Sequence, residues 1–354
     1  METTTYKISD IGEVVGGGTP STANSDFWGG DIPWISPKDL TGYKSVYISH
    51  GESFLTKTGL KSGTKLLPKG TVLFSSRAPI GYVAIASNPI CTNQGFKSII
   101  CNKEIINPLF LYYYIKGNLD YIKLFGTGAT FPEISGAAMR KIKVQIPTLP
   151  TQQKIASILS TYDRLIENNT RRIRLLEQMA ENLYKEWFVR FRFPEHEKVE
   201  MVNGLPKGWK IKKVSNVCET MGGGTPTTTN PAYWGGDIKW VTPSDITSKN
   251  SLALLKVKGR ITEEGLKKSS AKLLPPYTIL MTSRASIGFF GICPDSVCTN
   301  QGFISIIPNK ETFRMYLLYT FKSRKEEIIS NANGSTFLEI SKGRFRKMKV
   351  LVPP

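Results

Sequence analysis

The sequence predicts an α+β protein in which two homologous domains stand in tandem and are joined by a long coiled-coil helix. Three observations support this prediction. A set of short motifs occurs twice, about 206 residues apart. Between the two copies, apolar residues recur with a period of about 3.5 residues. Within each copy, short β-rich runs lie between glycines and prolines and are followed by one or two helices.

The predicted boundaries place the first domain at 1–149, the helix at 150–193, a linker at 194–209 and the second domain at 210–354. The first domain opens with Tyr6–Val15, which reads as one short strand or helix. The β-rich runs that follow predict a mixed or antiparallel sheet. The linker is rich in turn-forming residues, which separates the helix from the second domain.

The repeat consists of glycine-rich and polar motifs that return in the same order. In the first copy they are GGGTP at 16–20, WGGDI at 28–32, SRAPIG at 76–81, CTNQGF at 91–96 and GATFPEIS at 128–135. In the second copy they are GGGTP at 222–226, WGGDI at 234–238, SRASIG at 283–288, CTNQGF at 298–303 and GSTFLEIS at 334–341. A period this long is far above that of solenoid repeats, so it indicates a duplicated domain.

The helix between the copies presents one narrow apolar seam. Its members are Ile155, Leu159, Tyr162, Ile166, Asn169, Ile173, Leu176, Ala180, Leu183 and Trp187. At ~1.5 Å per residue the seam is roughly 50 Å long, and we expect it to be a subunit interface. Thr151 is the predicted N-cap, and Pro150 ends the preceding segment. Asn169 either fixes the register of the coiled coil or is simply exposed where the seam loosens.

The charge balance indicates an anionic partner. Lysine and arginine number 47 against 28 acidic residues, which gives a net charge of +19. The excess is distributed over both copies and the helix, so we expect faces that bind a polyanion. Nucleic acid is favoured over an anionic membrane surface, because no strongly basic amphipathic helix stands apart.

Composition also limits compartment and cofactor chemistry. No apolar run approaches the ~20 residues that span a bilayer, and the polar N-terminus predicts no signal peptide. The five cysteines form no CxxC pair, and His50 and His196 are the two histidines. These features disfavour a metal site and disulfides, and they favour the reducing cytoplasm.

Polar side chains in and near the repeated motifs are the candidate DNA contacts. Arg77, Arg284, Gln94 and Gln301 suit base edges, because guanidinium and amide groups match their donors and acceptors. Loop hydroxyl and ammonium groups suit phosphates, at Thr19, Ser36, Lys38, Thr225 and Thr242. The remaining candidates are Ser76, Thr130, Ser283 and Thr336. The glycines and tryptophans of the motifs have two open interpretations: function, or turn formation and core packing.

Taken together, the duplication, the heptad helix and the motifs GGGTP, WGGDIPWISPKDL, SRAPIG and NQGF resemble a specificity subunit of a type I restriction–modification system. The segment IPTLPTQQKIASIL at 146–159 is similar to the start of that family's central spacer helix. The resemblance implies two target-recognition domains, each reading one half of a split double-stranded DNA site. It also implies a non-catalytic, cytoplasmic chain whose spacer docks modification subunits, with restriction subunits joining through the complex. No cofactor is expected on this chain; S-adenosylmethionine and ATP are expected on the partner subunits.

The family pattern includes a second spacer helix after the second recognition domain. Residues 349–354 align with 143–148, where the sequence stops, so we expect that helix to be absent. The apolar seam then needs another cover. We expect a modification subunit to supply it, with self-association through the seam when the chain is alone.

Two other functions remain open from sequence. Asn230-Pro231-Ala232-Tyr233 looks like the catalytic box of an adenine DNA methyltransferase, although its first-copy counterpart is Asn24-Ser25-Asp26-Phe27 and no glycine-rich cofactor loop follows a strand upstream. A protein-binding scaffold without a nucleic-acid partner would also explain the heptad helix. The net charge of +19 weighs against the scaffold.

Overall fold

The computed structural model describes residues 2–130, 132–248, 251–334 and 337–354. The chain divides into two compact units, Met1–Thr170 and Arg171–Pro354. Each unit contains one copy of the repeat together with one half of the long helix. The packing thus assigns the two halves of the helix to different copies.

Short strands form the sheets of the first unit. In chain order they are β1 (Thr4–Lys7), β2 (Gly12–Gly16), β3 (Trp28–Ile35), β4 (Tyr47–Ile48), β5 (Ser53–Leu55), β6 (Val72–Phe74), β7 (Val83–Ala86), β8 (Cys91–Thr92), β9 (Lys97–Cys101) and β10 (Lys143–Ile146). The central sheet has the order β2-β9-β6-β7-β4, a smaller sheet is β5-β3-β8, and β1 pairs with β10. The pairs β3·β8 and β4·β7 are parallel and the others antiparallel, so the sheets are mixed.

Helices pack against the sheets of the first unit, with α3 on the central sheet and α2 on the smaller one. They are α1 (Ile8–Ile11), α2 (Lys57–Lys61), α3 (Pro108–Gly117), α4 (Leu119–Lys123) and α5 (Gly136–Lys141). Asn107 caps α3, since its side-chain oxygen accepts the N–H groups of Leu109 at 2.9 Å and Phe110 at 3.1 Å. The apolar face of α3 shares one core with β6 and β7.

The prediction of a single element over Tyr6–Val15 is wrong. This segment contains the end of β1, the one-turn helix α1 and most of β2. Asp10 accounts for the turn, because its carboxylate accepts the backbone N–H of Lys7 at 2.8 Å. Ile8 and Ile11 are fully buried, so core packing also holds the turn in place.

The long helix α6 runs over Leu149–Tyr184 and continues as one π-helical turn over Lys185–Val189. The predicted N-cap at Thr151 is wrong, because the helix begins at Leu149. The carbonyl of Thr148 accepts the N–H of Gln152 at 3.0 Å, so Thr148 holds the cap position. Pro150 lies in the first turn, where its missing N–H leaves no helical bond unmade.

The second unit repeats the architecture of the first. Its strands are β11 (Met201–Val202), β12 (Leu205–Pro206), β13 (Lys210–Lys213), β14 (Cys218–Gly222), β15 (Trp234–Val241), β16 (Gly259–Ile261), β17 (Ile279–Thr282), β18 (Phe290–Ile292), β19 (Val297–Thr299), β20 (Phe303–Pro308) and β21 (Lys349–Val352). Its helices are α7 (Pro243–Thr247), α8 (Glu263–Lys267), α9 (Arg314–Ser323), α10 (Lys325–Ser330) and α11 (Lys342–Lys347). The sheets β14-β20-β17-β18, β16-β15-β19 and β13-β21 match those of the first unit, with a single parallel bridge between Ala253 and Ile292 in place of the edge strand β4.

The start of α6 packs on the first unit through a buried amide. Gln152 is 1% exposed, and its side-chain oxygen accepts the N–H of Asn107 at 2.9 Å. Its side-chain nitrogen donates to the carbonyls of Ile105 at 3.0 Å and Pro147 at 2.9 Å. One turn later Ala156 enters the core. Gln152 therefore joins α6 to the loop that caps α3.

Carboxylates on α6 make the next contacts with the first unit. The hydroxyl of Tyr113 donates to Asp163 at 2.6 Å, and the hydroxyl of Ser45 donates to Glu167 at 2.8 Å. Burial, followed by the nearby Asp163 carboxylate, raises the pKa of Tyr113, so this hydroxyl remains a donor across the physiological range.

The second unit uses carboxylates of α6 in the same way. Glu177 accepts the backbone N–H of Leu252 at 2.9 Å. Glu181 accepts hydrogen bonds from the ammonium group of Lys322 at 2.8 Å and lies 2.9 Å from that of Lys185. These two lysines hold the pKa of Glu181 below its usual value. The helix therefore docks on each unit through polar groups together with apolar contacts near its ends, where Ala156 enters the first core and Tyr184 the second.

The predicted seam of α6 is exposed along most of its length. Tyr162 is 63%, Ile166 62% and Leu176 62% exposed. Near the two ends, Ile155 and Ala180 are half-buried against the cores of the first and second units. A further apolar row outside the predicted seam is also exposed, at Ile158, Leu165 and Met179. The exposed apolar face is therefore wider than the narrow seam that the sequence predicts.

The segment after α6 is a folded connection. The rings of Phe188 and Phe193 each lie 5.9 Å from the ring of Trp209. β11 and β12 form a hairpin around Asn203-Gly204. Both turn residues have positive φ, +52° and +77°, as a tight hairpin of this composition requires.

The repeated glycines let two backbone segments touch. A Cβ on Gly17 would lie 2.0 Å from the carbonyl oxygen of Asn93 and 2.4 Å from that of Thr92. The next residue, Gly18, donates its N–H to Thr92 at 2.8 Å. In the second unit a Cβ on Gly223 would lie 2.1 Å from the carbonyl oxygen of Asn300. At these glycines the packing interpretation holds.

We expect Gly17→Ala to destabilise the protein by about 1–3 kcal/mol, because the added methyl group must displace two backbone carbonyls. Urea unfolding would measure the loss. Gly16→Ala is the matched control, since nothing lies within 4 Å of a Cβ at that position. Equal destabilisation by both substitutions would contradict the packing argument.

Candidate nucleic-acid interface

Repeated motifs that are distant in the sequence meet at one edge of the central sheet in the first unit. GGGTP begins at the last residue of β2, SRAPIG follows the end of β6, and NQGF leads into β9. β2 and β6 both run antiparallel to β9, so two strand ends and one strand start share this edge. The register pairs Gly16 with Lys97 and Ser75 with Phe96.

Hydrogen bonds connect the motifs directly. The hydroxyl of Thr19 donates to the side-chain oxygen of Gln94. The backbone N–H of Ser76 donates to the carbonyl of Gly95 at 2.7 Å. The backbone N–H of Ile134 donates to the carbonyl of Ser76 at 3.0 Å, which brings the GATFPEIS motif to the same edge.

An ion-pair cluster lies among these loops; we call it the arginine cluster, formed by Arg77, Lys97 and Glu133. One carboxylate oxygen of Glu133 lies 3.1 Å from Nζ of Lys97, and the other lies 3.4 Å from Nη1 of Arg77. The side chain of Lys97 is 15% exposed, whereas that of Arg77 is 39% exposed. The guanidinium is therefore the cation of this cluster that reaches the surface.

The second unit forms the corresponding cluster from Arg284 and Glu339. The hydroxyl of Thr225 donates to the side-chain oxygen of Gln301 at 2.5 Å. Nε of Arg284 lies 3.8 Å from a carboxylate oxygen of Glu339. Ile304, which is 1% exposed, stands where the first unit has its lysine. The second unit keeps the arginine, the carboxylate and the glutamine, but it has an isoleucine in place of the lysine.

Six of the candidate DNA contacts therefore lie at these two edges with accessible side chains: Thr19, Arg77, Gln94, Thr225, Arg284 and Gln301. Ser76 and Ser283 lie at the same edges but are only 0% and 2% exposed. The hydroxyl of Ser76 donates to the carbonyl of Gly95 at 3.1 Å. The two serines thus support the loops that present the arginines.

The remaining candidates lie elsewhere in the loops. Ser36 and Thr242 donate their hydroxyls to Asp39 at 2.7 Å and Asp245 at 2.8 Å, at the start of short helical turns. Lys38 lies 2.8 Å from Glu52, whose carboxylate raises the pKa of that lysine. Thr130 is exposed, and Thr336 lies outside the described residues.

The tryptophans of the WGGDI segments have structural contacts. The indole N–H of Trp34 donates to the carbonyl of Gly18 at 2.9 Å, and that of Trp240 donates to Gly224 at 2.9 Å. Trp28 packs edge-on against Trp34 with ring centroids 5.1 Å apart. These indoles hold the GGGTP loops in place, which favours the packing interpretation for them.

The cysteine of each CTNQGF motif is buried and is expected to be unreactive. Burial raises the pKa of Cys91 and of Cys298 to about 11. Both thiols therefore stay protonated at neutral pH, which disfavours a role as nucleophile or metal ligand.

The box-like segment at Asn230 has a structural explanation. The side-chain oxygen of Asn230 accepts the N–H of Ala232 at 3.1 Å and caps the short turn Pro231–Tyr233. Asn24 makes the same contact with the N–H of Asp26 at 3.0 Å in the first unit. Both asparagines therefore serve as caps, whether or not a proline follows.

The carboxylates that pair with the arginines are not among the DNA contacts that the sequence predicts. Glu133 and Glu339 occupy the same place in the last repeated motif, in which the sequence predicts only the threonines as contacts. Their repetition was the available signal. Lys97 carried no such signal, because the second copy has Ile304 in its place.

Two further observations concern other classes of function. In the ranges that the structure describes, no helix is long and apolar enough to cross a membrane. Among the same residues, no group of three or more His, Cys, Asp or Glu side chains is arranged to hold a metal ion.

Comparison with known proteins identifies relatives over most of the chain. A family model described as the type I restriction modification DNA specificity domain matches residues 1–178 and 206–354. The MjaIX type I restriction enzyme specificity subunit of Methanocaldococcus jannaschii is 45% identical over 224 residues, covering 61% of this chain and 52% of that protein. The chain therefore spans about half the length of this relative. The HindI specificity subunit of Haemophilus influenzae is 25% identical over 360 residues, covering 82% of this chain and 78% of that protein.

A solved structure shares the fold. The crystal structure of a type I restriction–modification S subunit from M. genitalium matches with a TM-score of 0.62 at 16% identity. The match covers 100% of this chain and 85% of that chain. The two-copy architecture with a long helix is therefore an established fold.

We expect Asn230→Ala to destabilise the protein by about 0.5–2 kcal/mol, because it removes a cap. Asn230→Asp should be nearly neutral, since a carboxylate accepts the same N–H. Thermal unfolding of both variants, with Asn24→Ala as the first-unit counterpart, would measure this. Unchanged stability in Asn230→Ala would argue against the capping role.

Proposed function

Since this chain belongs to the family of type I restriction–modification DNA specificity domains, as its repeated motifs predicted, we propose that it is the DNA-sequence specificity subunit of a type I restriction–modification complex. Each unit reads one half of a bipartite double-stranded target. The observation that supports this most directly is the twofold occurrence of one surface: a solvent-accessible arginine and glutamine on the same sheet edge in both units.

The arginine and glutamine side chains offer different hydrogen-bonding groups for DNA recognition. Arg77 and Arg284 present planar guanidinium groups with several free donors, which match guanine or phosphate oxygens. Gln94 and Gln301 each accept a hydroxyl hydrogen bond through the amide oxygen, so their amide nitrogens remain as donors. The net charge of +19 supplies the sequence-independent attraction to DNA.

The exposed apolar face of α6 is the proposed docking surface for modification subunits. It includes Leu159, Ile166, Ile173, Leu176 and Leu183, which are 39–62% exposed. Trp187, in the π-helical turn, lies at the C-terminal end of this face. Restriction subunits join through the assembled complex. The chain itself is proposed to be non-catalytic and cytoplasmic, with S-adenosylmethionine and ATP bound by the partner subunits.

We expect Arg77→Ala and Arg284→Ala each to weaken binding of the specific duplex by roughly 1–3 kcal/mol, because each removes a base-reading side chain. Fluorescence anisotropy would measure it, on a duplex whose methylated positions have first been mapped with the reconstituted complex. Arg190→Ala is the charge-matched control, since Arg190 pairs with Glu186 on the last turn of the long helix.

The outcome separates this function from the alternatives. If both alanine variants are folded and bind the specific duplex as tightly as Arg190→Ala does, the DNA-contact assignment is wrong. Methyl transfer by the isolated chain would instead indicate an enzyme.

We expect the isolated chain to self-associate through α6, because its apolar face lies exposed. Leu176→Glu and Leu183→Glu should lower the mass measured by light scattering across concentration, and should weaken co-purification with the modification subunit. Gln178→Glu adds the same charge at an exposed polar position and should leave both unchanged. A monomeric parent that is indifferent to both leucine substitutions would refute the docking surface.

A further inference from the structure

In each unit a carboxylate stands beside the arginine that the proposed function assigns to DNA. From this repeated pairing we propose that Glu133 and Glu339 are specificity-determining residues. Each carboxylate penalises contact of its arginine with backbone phosphates and thereby favours contact with neutral base edges. The proposal rests on the proposed function, because it concerns what Arg77 and Arg284 contact.

The backbone fixes each carboxylate beside its arginine. In the first unit Glu133 and Thr127 exchange backbone hydrogen bonds of 2.9 and 3.0 Å. In the second unit Glu339 and Asn333 exchange hydrogen bonds of 2.8 and 2.9 Å. The residue after each glutamate is also bonded to the serine that precedes the arginine, at 3.0 Å in both units. The pairing is therefore part of the fold and is not a chance meeting of two flexible side chains.

The ion pair itself is loose. Nη1 of Arg77 lies 3.4 Å from Glu133, and Nε of Arg284 lies 3.8 Å from Glu339. The side chains are between 35% and 50% exposed, so solvent screens the attraction. One guanidinium nitrogen faces the carboxylate in each pair, and other donors stay available for a ligand.

A carboxylate at this distance treats the two kinds of DNA acceptor differently. A phosphate that approaches the guanidinium brings a negative charge close to the glutamate, and like charges in such an interface repel. The guanine edge offers O6 and N7, which are neutral acceptors, so it brings no such charge. The glutamate therefore costs affinity mainly in sequence-independent contacts, which raises the ratio of specific to non-specific binding.

The cleaner test is in the second unit, because Ile304 replaces the lysine that shares the carboxylate in the first unit. We expect Glu339→Gln to raise the affinity of the full chain for a random-sequence duplex about threefold to tenfold at low salt, by removing the repulsion. One newly available phosphate contact should also steepen the salt dependence, changing the slope of log K against log salt by about −0.9.

Glu200→Gln is the matched control. Glu200 pairs with Lys207 at 2.8 Å in the folded connection, and both side chains are more than 60% exposed. The substitution changes the net charge of the chain by the same amount as Glu339→Gln. A rise in affinity that exceeds this control is therefore a local effect, and thermal unfolding would verify that both variants are folded.

Coupling to the arginine completes the test. In an Arg284→Ala background, Glu339→Gln should behave like Glu200→Gln, because the phosphate-binding partner is gone. Glu133→Gln, alone and with Arg77→Ala, repeats the measurement in the first unit. Weaker binding of random duplex by both glutamine variants, or binding equal to that of Glu200→Gln, overturns the inference.

Failure of the inference differs from failure of the proposed function. If the arginine substitutions lower DNA affinity while the glutamine variants match their control, DNA reading stands and the selective role of the glutamates is wrong. If neither arginine substitution changes DNA affinity, the proposed DNA contact fails, and the inference falls with it.

Discussion

The close approach of the Gly17–Gly18 backbone to the segment before β9 is the contact on which the candidate interface of the first unit depends. It leaves no room for a side chain at Gly17. Because the two segments touch, the hydroxyl of Thr19 can hydrogen-bond to Gln94, and the neighbouring loops pack beside that hydrogen bond. The second unit repeats the arrangement, so its glycines play the same part. The glycines thus allow the backbone segments at this edge to pack closely, and the polar residues next to them supply the hydrogen-bonding groups.

Much of this organisation could be predicted from the sequence. The duplicated motifs predicted two homologous domains and the family, because nearly identical strings recur in the same order. The heptad pattern predicted one long helix, since periodicity is a local property of the chain. Its start was misplaced, because Thr148 and Thr151 are both acceptable caps by residue type and the structure uses the earlier one. The five-motif pattern also led to the arginines and glutamines.

Other features could not be read in advance, for physical reasons. The pairing of Arg77 with Glu133 joins residues 56 positions apart, and no local pattern reports such a contact. The buried role of Gln152 depends on three backbone groups that come together only in the fold. The extra apolar row at Ile158 is exposed to solvent, and residue spacing alone does not reveal which apolar residues are exposed. Several candidate hydroxyls looked free in sequence, although Ser36 bonds to Asp39 and Ser76 is buried.

Different faces of the long helix have different roles. Carboxylates such as Asp163 and Glu181, with Ala156 and Tyr184 in the two cores, hold it to the units, while the leucines and isoleucines of its outer face are exposed. A substitution on the outer face is therefore expected to alter the affinity for the proposed partner subunit and to leave folding almost unchanged. Under the proposed function, assembly and target reading use separate surfaces, so a change of partner does not require a change of recognised sequence.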